Sequence, residues 1–410
     1  MNRKTVKKIL PKLLLLLTVA ALMTPIFCSC VQSDVTVLNV YNWGEYISDG
    51  SEDSYDTNAA FEEWYLAEYG KEVKVNYTTY ASNEDMYAKL KSGAVKYDIV
   101  IPSDYMIELM IEEDMLEEID FSNIPNYQYI DENYRNLFYD PDNKYSVPYT
   151  YGMVGIIYNT TMVEGTPDSW GLMWDENYKG KILNFNNPRD AFGTAMYKLG
   201  IDVNTSDTAD WDAAFEALKA QKPLVQSYVM DEIFNKMKGA SAAIAPYYAG
   251  DFLTMYDDNN DLAFYYPKEG TNVFIDAICI PKGTQHKDIA EAYINFMLSE
   301  DAAIANAEYI GYASPNTLVR DSAEYAEYMN EIHPDAYDIL YPENVEFLTS
   351  YFKNQSSETR SYMNTLWEDL KIESSFGGWI YIACAVIVVL LAAWAIFSSI
   401  RKKNRAKKYE

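Results

Sequence analysis

The chain has 410 residues, enough for two or three ordinary domains, and carries 33 Lys and Arg against 61 Asp and Glu, a formal charge of −28. Five of the cations lie in residues 1–12 and six in 401–408, so residues 34–376 hold 22 cations against 60 anions, a net of −38. A body so acidic repels phosphate backbones and excludes nucleic-acid binding, and an apolar content of 49% with 37 Tyr excludes a disordered acidic chain.

Taken in chain order, the first thirty residues read as an export signal. Arg3, Lys4, Lys7, Lys8 and Lys12 precede an apolar run over 13–27, and small or thiol residues follow. The sequence Phe27-Cys28-Ser29-Cys30 is similar to the lipobox of bacterial lipoproteins, which implies acylation of Cys30; an uncleaved signal anchor is the alternative.

The body then alternates short apolar strands with amphipathic helices. Strands are expected over 35–41, 72–77 and 97–101, with helices over 57–69 and 83–92. Beyond Pro148 the pattern resumes with strands over 152–158, 181–185, 242–245, 262–266 and 273–281. Helices fall over 191–199, 211–220 and 289–298. This alternation predicts an α/β fold with a parallel sheet covered on both faces. Ligands of such sheets sit beyond the carboxyl ends of the strands, which places loops 43–46, 103–105, 186–190 and 247–251 and the segment 274–276 at a binding cleft. Nearly all carry a ring, a carboxylate or both.

At the far end, residues 377–400 contain no charged side chain, and 24 positions make a helix of about 36 Å, longer than the roughly 30 Å hydrocarbon core. Arg401, Lys402 and Lys403 follow directly, so this is expected to be a transmembrane helix with a basic cytoplasmic tail over 401–410 and the acidic body outside. Cys28 and Cys30 belong to the signal and Cys384 to the span, leaving only Cys279 in the body, which permits neither a disulfide framework nor a zinc cluster there. His286 and His333 sit in polar, loop-like surroundings and are expected at the surface. With two His, no G-x-S-x-G elbow, no H-E-x-x-H and no phosphate loop, catalysis is not expected, and no cofactor or metal is called for.

Six stretches in order carry a resemblance: Val40-Tyr41-Asn42-Trp43-Gly44-Glu45-Tyr46, residues 80–90, Tyr97-Asp98-Ile99-Val100-Ile101-Pro102-Ser103, residues 145–149, residues 266–270, and Ile310-Gly311-Tyr312-Ala313-Ser314-Pro315-Asn316. Together the chain resembles the spermidine/putrescine-binding proteins of bacterial polyamine ABC transporters. The resemblance implies a two-lobed, hinge-closing solute receptor of the type II periplasmic-binding class, with permease subunits as partners. Lobe one would comprise 34–148 plus 276–320, and lobe two 149–275 plus 321–376. The membrane span lies outside the pattern and suggests a receptor tethered beside its transporter.

Carried over by position, the resemblance implies walls from Trp43, Tyr46 and Tyr105, with Glu45 at the same loop and a hydroxyl from Ser103. It implies carboxylates at Asp276 and Asp190, rings at Tyr247, Phe274 and Tyr312, and a further contact at Ser227. Asn187 stands where spermidine binders have an acid, Asp104 where a neutral residue is expected, and Gly44 where a hydroxyl residue is expected. A carboxylate thus moves from lobe two to lobe one, which puts the preferred polyamine length in doubt. Trp43, directly after a buried strand, also fits a core residue, and Asp190 also fits a helix cap. Asp276 in an apolar strand demands a partner, and few cations lie near it in sequence. Two other receptor chemistries remain: ferric-iron capture by Tyr247-Tyr248 or Tyr265-Tyr266, and sugar binding by the rings alone.

Overall fold

A computed structural model of the chain describes residues 35–342, 348–375, 385–391 and 394. The signal with Cys30 and most of the 377–400 span lie outside the described residues; 385–391 and 394 are helical. Among the described residues no helix is long and apolar enough to cross a membrane.

Local chemistry sets the elements nearest the cleft. The helix Thr57–Tyr69 starts where the Asp56 carboxylate accepts the Ala59 N–H and stops at Gly70, whose φ of 66° favours a residue without a Cβ. The helix Asn83–Ser92 begins on the Ser82 hydroxyl, which accepts the Asp85 N–H, and Pro188–Leu199 begins on Asn187, which accepts the Asp190 N–H. Pro188 occupies the first turn, where its missing N–H has no helical partner to lose.

Ten strands make one connected sheet: β1 Thr36–Trp43, β2 Val73–Tyr80, β3 Ile99–Val100, β4 Ser146–Asn159, β5 Ile182–Phe185, β6 Val225–Val229, β7 Ile244–Tyr248, β8 Leu262–Tyr265, β9 Thr271–Cys279 and β10 Thr349–Tyr351. The order is β2-β1-β3-β9-β4-β7-β5-β6, with β10 beside β9 and β8 beside β4. The sheet is mixed rather than parallel. β1 runs parallel to β2 and β3, and β5 parallel to β6 and β7, but β4 is antiparallel to β7, β8 and β9.

β4 joins two halves. Its first part, Ser146 to Met153, pairs with β9, and its second, Val154 to Asn159, pairs with β7 and β8. Val147 and Tyr149 enter one apolar core with Leu38, Phe61 and Tyr293; Ile156 and Ile157 enter another with Phe185, Trp211 and Phe252. Two cores bridged by a single strand make a two-lobed α/β molecule. A third cluster, with Tyr41, Val100, Ile107, Ala277 and Cys279, covers the opposite face of the first lobe's sheet. Residues of β1 and β9 thus feed both faces of the sheet, so neither strand shows a plain alternation of apolar and polar residues.

Pro148 does not precede the crossing strand, as the sequence pattern suggested, but lies inside it. The register shifts between Pro148 and Thr150, and an irregularity of that kind is where a strand tolerates a residue with no N–H to give. The helices after residue 320 return to the second lobe, where Tyr325, Met329, Met363 and Trp367 join its core.

Candidate functional site

Between the lobes lies a cleft of about 770 Å³, part of it open to solvent. Its lining comes from the ends of strands and the starts of the helices that follow. Trp43 ends β1 and Gly44 to Tyr46 follow it, Ser103 to Tyr105 follow β3, Asn187 and Asp190 follow β5, and Tyr247 and Tyr248 end β7 with Asp251 in the helix that follows. Phe274 and Asp276 lie within β9. Tyr312 enters just past Gly311, which ends the helix Glu300–Ile310 with a φ of 74°.

Asp276 is enclosed at the centre of the site. It is 3% exposed, its Oδ2 accepts the Tyr46 hydroxyl at 2.6 Å and its Oδ1 accepts the Ser103 hydroxyl at 2.6 Å. Asn83 in turn donates to Ser103 Oγ at 3.0 Å, and Tyr46 shares its hydroxyl with Thr150 Oγ1 at 2.6 Å. Burial raises the Asp276 carboxyl to about 6, against the two hydroxyl bonds that lower it, and the Asp190 charge adds to the rise.

Asp190 is not the helix cap, because Asn187 holds that position. Its Oδ2 accepts the Tyr248 hydroxyl at 2.8 Å and the Asn187 amide at 2.7 Å, facing the cleft. Asp251 accepts the Tyr312 hydroxyl at 2.7 Å, and Glu84 accepts that of Tyr105 at 3.0 Å. Burial pushes all three carboxyls up. Asp104 plays a different part. Its two oxygens accept the N–H groups of Tyr105 and Ile275, tying the helix Asp104–Glu112 to β9.

Rings fill the space between. Tyr248 meets Phe274 at 5.2 Å between centroids, Phe274 meets Tyr312 at 6.0 Å and Tyr312 meets Tyr46 at 5.3 Å, all edge to face. Trp43 packs against Tyr80 at 4.6 Å and still borders the cleft, so it serves both core and site. Glu45, Glu84, Asp104, Asp190, Asp231, Asp251 and Asp276 line the cleft, and among the described residues no Lys, Arg or His lines it. Arg189 sits behind the wall, over the rings of Tyr105 and Phe352 at 5.2 and 4.8 Å, with Nη2 donating to Lys353 O at 2.6 Å.

Residues 95–338 match the profile of bacterial extracellular solute-binding proteins. The chain belongs to that family. It is 35% identical over 315 residues to the spermidine/putrescine-binding periplasmic protein of Salmonella typhimurium, covering 75% of this chain and 86% of that one. It is 28% identical over 318 residues to a putrescine-binding periplasmic protein of Escherichia coli, covering 73% and 83%. Among solved structures, the spermidine/putrescine ABC transporter substrate-binding protein of Streptococcus pneumoniae aligns with a TM-score of 0.64 at 32% identity, over 82% of this chain and 99% of that one. The family consists of solute-binding receptors of transporters, not enzymes.

In this receptor Trp43, Glu45, Tyr46, Ser103, Asp104, Tyr105, Asn187, Asp190, Tyr247, Phe274, Asp276 and Tyr312 all border one cleft. Ser227 does not: it lies on β6, paired with Leu183, and its buried hydroxyl has no partner. Asp231, Glu84 and Phe352 are not singled out in the sequence, Tyr248 only as half of a tyrosine pair, and Asp251 only as the end of a loop. Of these, only Tyr248 and Asp251 had a visible signal, their place at the end of β7. The paired tyrosines do not suit ferric iron. Burial pushes the phenols of Tyr247 and Tyr248 up, away from the phenolates such an ion binds, and Tyr265 donates instead to Ser169 O at 2.9 Å. His333 is not a plain surface residue either, since its ring meets Tyr256 edge-on at 4.5 Å.

Proposed function

We propose that this receptor captures polyamines of the spermidine and putrescine type outside the cytoplasm and delivers them to the permease subunits of an ABC importer, its lobes closing about the cleft. One observation carries the reading: seven carboxylates and a run of packed rings share a single cleft whose described lining has no cationic side chain. A linear polyamine supplies what that cleft lacks. Its ammonium groups neutralise buried carboxylates that otherwise cost several kcal/mol each, on the order given for uncompensated ions. Its methylenes lie on ring faces, with cation–π contacts contributing roughly 0.5–2 kcal/mol. A sugar also uses rings, but gives buried acids no charge partner.

The hinge is read at β4 and β9, with lobe one as 34–148 plus 276–320 and lobe two as 149–275 plus 321–376. We read 377–400 as a membrane span with a cytoplasmic tail, and Cys30 as a site of acylation. Supporting the span, Val386 to Leu391 and Trp394 are each at least half exposed, as apolar side chains in lipid would be. Calorimetric titration of the full chain with putrescine, cadaverine, spermidine and spermine, and with glucose as an uncharged control, tests the reading. Saturable heat from a polyamine and none from glucose is expected; a chain that binds glucose and no polyamine contradicts it.

A further inference from the structure

Beside the cleft, one short segment ties a helix of the first lobe to the second. The helix Asp104–Glu112 presents Tyr105 to the cleft, while its Ile107, Leu109 and Met110 pack against the first lobe's sheet. The chain just after β10 belongs to the other lobe. Phe352 joins the second lobe's core, its ring lying against Gly193, where a Cβ would stand 3.2 Å from Cζ. Asn204 fixes the segment there, accepting the Lys353 N–H at 2.8 Å and donating to Tyr351 O at 2.8 Å. Arg189 Nη2 holds Lys353 O from the same side at 2.6 Å.

Asn354 then reaches across. Its N–H donates to Glu108 Oε2 at 2.7 Å and its amide nitrogen donates to Glu112 Oε2 at 2.6 Å. Glu108 and Glu112 stand one turn apart, so a single face of the helix Asp104–Glu112 carries both. Two carboxylates so placed repel each other, and a charge-assisted bond to each from one residue offsets that. The Asn354 amide oxygen is engaged as well, accepting Arg360 Nη1 at 2.5 Å. Arg360 lies on the helix Ser357–Ser375, whose Trp367 and Leu370 are in the second lobe's core. Asn354, Glu108, Glu112 and Arg360 do not line the cleft, but their near neighbours Tyr105 and Phe352 do, and those two rings meet edge to face at 6.2 Å.

We propose that Asn354 is a positioning residue: it latches the first lobe's helix Asp104–Glu112 to the second lobe, keeps the rings of Tyr105 and Phe352 together as one wall of the closed cleft, and slows the escape of a ligand it does not touch. The inference rests on the polyamine reading for its ligand. β4 runs unbroken from one lobe into the other and stays whole as they part, whereas the bonds of Asn354 to Glu108 and Glu112 join the lobes through side chains and must break first. The latch therefore acts on the opening of the cleft and not on the first encounter with the ligand.

Stopped-flow measurement of spermidine binding and release by the full chain, followed by tryptophan emission with Trp43 at the cleft, tests the proposal. Asn354→Ala is expected to release spermidine about threefold or more faster, with an association rate within about twofold of the unaltered chain's. Glu112→Ala should match it, and the two substitutions together should cost no more than either alone, because they remove the same bond. Glu112→Gln, which keeps an oxygen to accept that bond, should restore most of the slow release. Glu108→Ala, which strips the Asn354 N–H of its acceptor, should speed release further when added to Asn354→Ala. Glu112→Ala, at an exposed position, decides the matter if Asn354→Ala does not fold. Release unchanged in Asn354→Ala, losses from Asn354 and Glu112 that add, or a Gln that restores nothing overturn the latch and leave the polyamine reading intact. A chain that binds no spermidine overturns both.

Discussion

Asp276 sits in a largely apolar strand and accepts the hydroxyls of Tyr46 and Ser103, an arrangement that orients a carboxylate without neutralising it. Its carboxyl lies at about 6 in the folded protein, against about 3.9 for a free aspartate. The folded, empty receptor therefore holds this proton more tightly than the unfolded chain does. Its contribution to stability is complete below about 3.9 and is lost as pH rises through about 6, the reverse of a salt-bridged aspartate. A bound ammonium favours the ionised form, so polyamine affinity should fall by up to about tenfold per pH unit below about 6. Asp276→Asn should lose at least about tenfold in spermidine affinity and much of that pH dependence, as read by calorimetry at about pH 5 and about pH 7.5. Unchanged isotherms would remove Asp276 from the ligand's contacts.

At the scale of elements, β4 and β9 do most to place the site, since β4 joins the two cores, β9 pairs antiparallel with its first part, and Phe274 and Asp276 lie on β9. Gly152 on β4 faces Phe274, and a Cβ there would stand 2.8 Å from the ring's Cζ. Gly152→Ala should therefore push Phe274 into the cleft, at an overpacking cost of about 1–3 kcal/mol in a thermal melt and with weaker spermidine binding. A variant that melts and binds like the unaltered chain would show that the ring yields freely. The helix 57–69 was legible in the sequence because Phe61, Trp64, Tyr65 and Glu68 recur at turn spacing, a signal carried by neighbours in the chain. The antiparallel run of β4 was not, because a buried strand shows the same apolar pattern in either direction and Pro148 reads as a stop. The loops after β1, β3, β5 and β7 were legible as the strand ends where α/β sheets bind ligands. Glu84 and Asp231 were not, because among 61 acids only the rotation of a helix or loop decides which face the cleft.

For the whole molecule, charge and architecture bear on the same ligand. The acidic body raises the local concentration of cations, and the two lobes present acids from separated parts of the chain to one space. Asp190 and Asp251 come from the first turns of the helices after β5 and β7, and Asp276 comes from β9. Nothing in the described lining neutralises them, and an elongated cation is the partner that does. The central claim is tested most directly by a crystal structure of the full chain grown with spermidine. The account predicts the amine in this cleft, its nitrogens within hydrogen-bond distance of Asp190, Asp276 and Asp251 and its methylenes on Phe274 and Tyr312. Spermidine bound elsewhere, or a cleft holding a different solute while spermidine stays in solution, would contradict it.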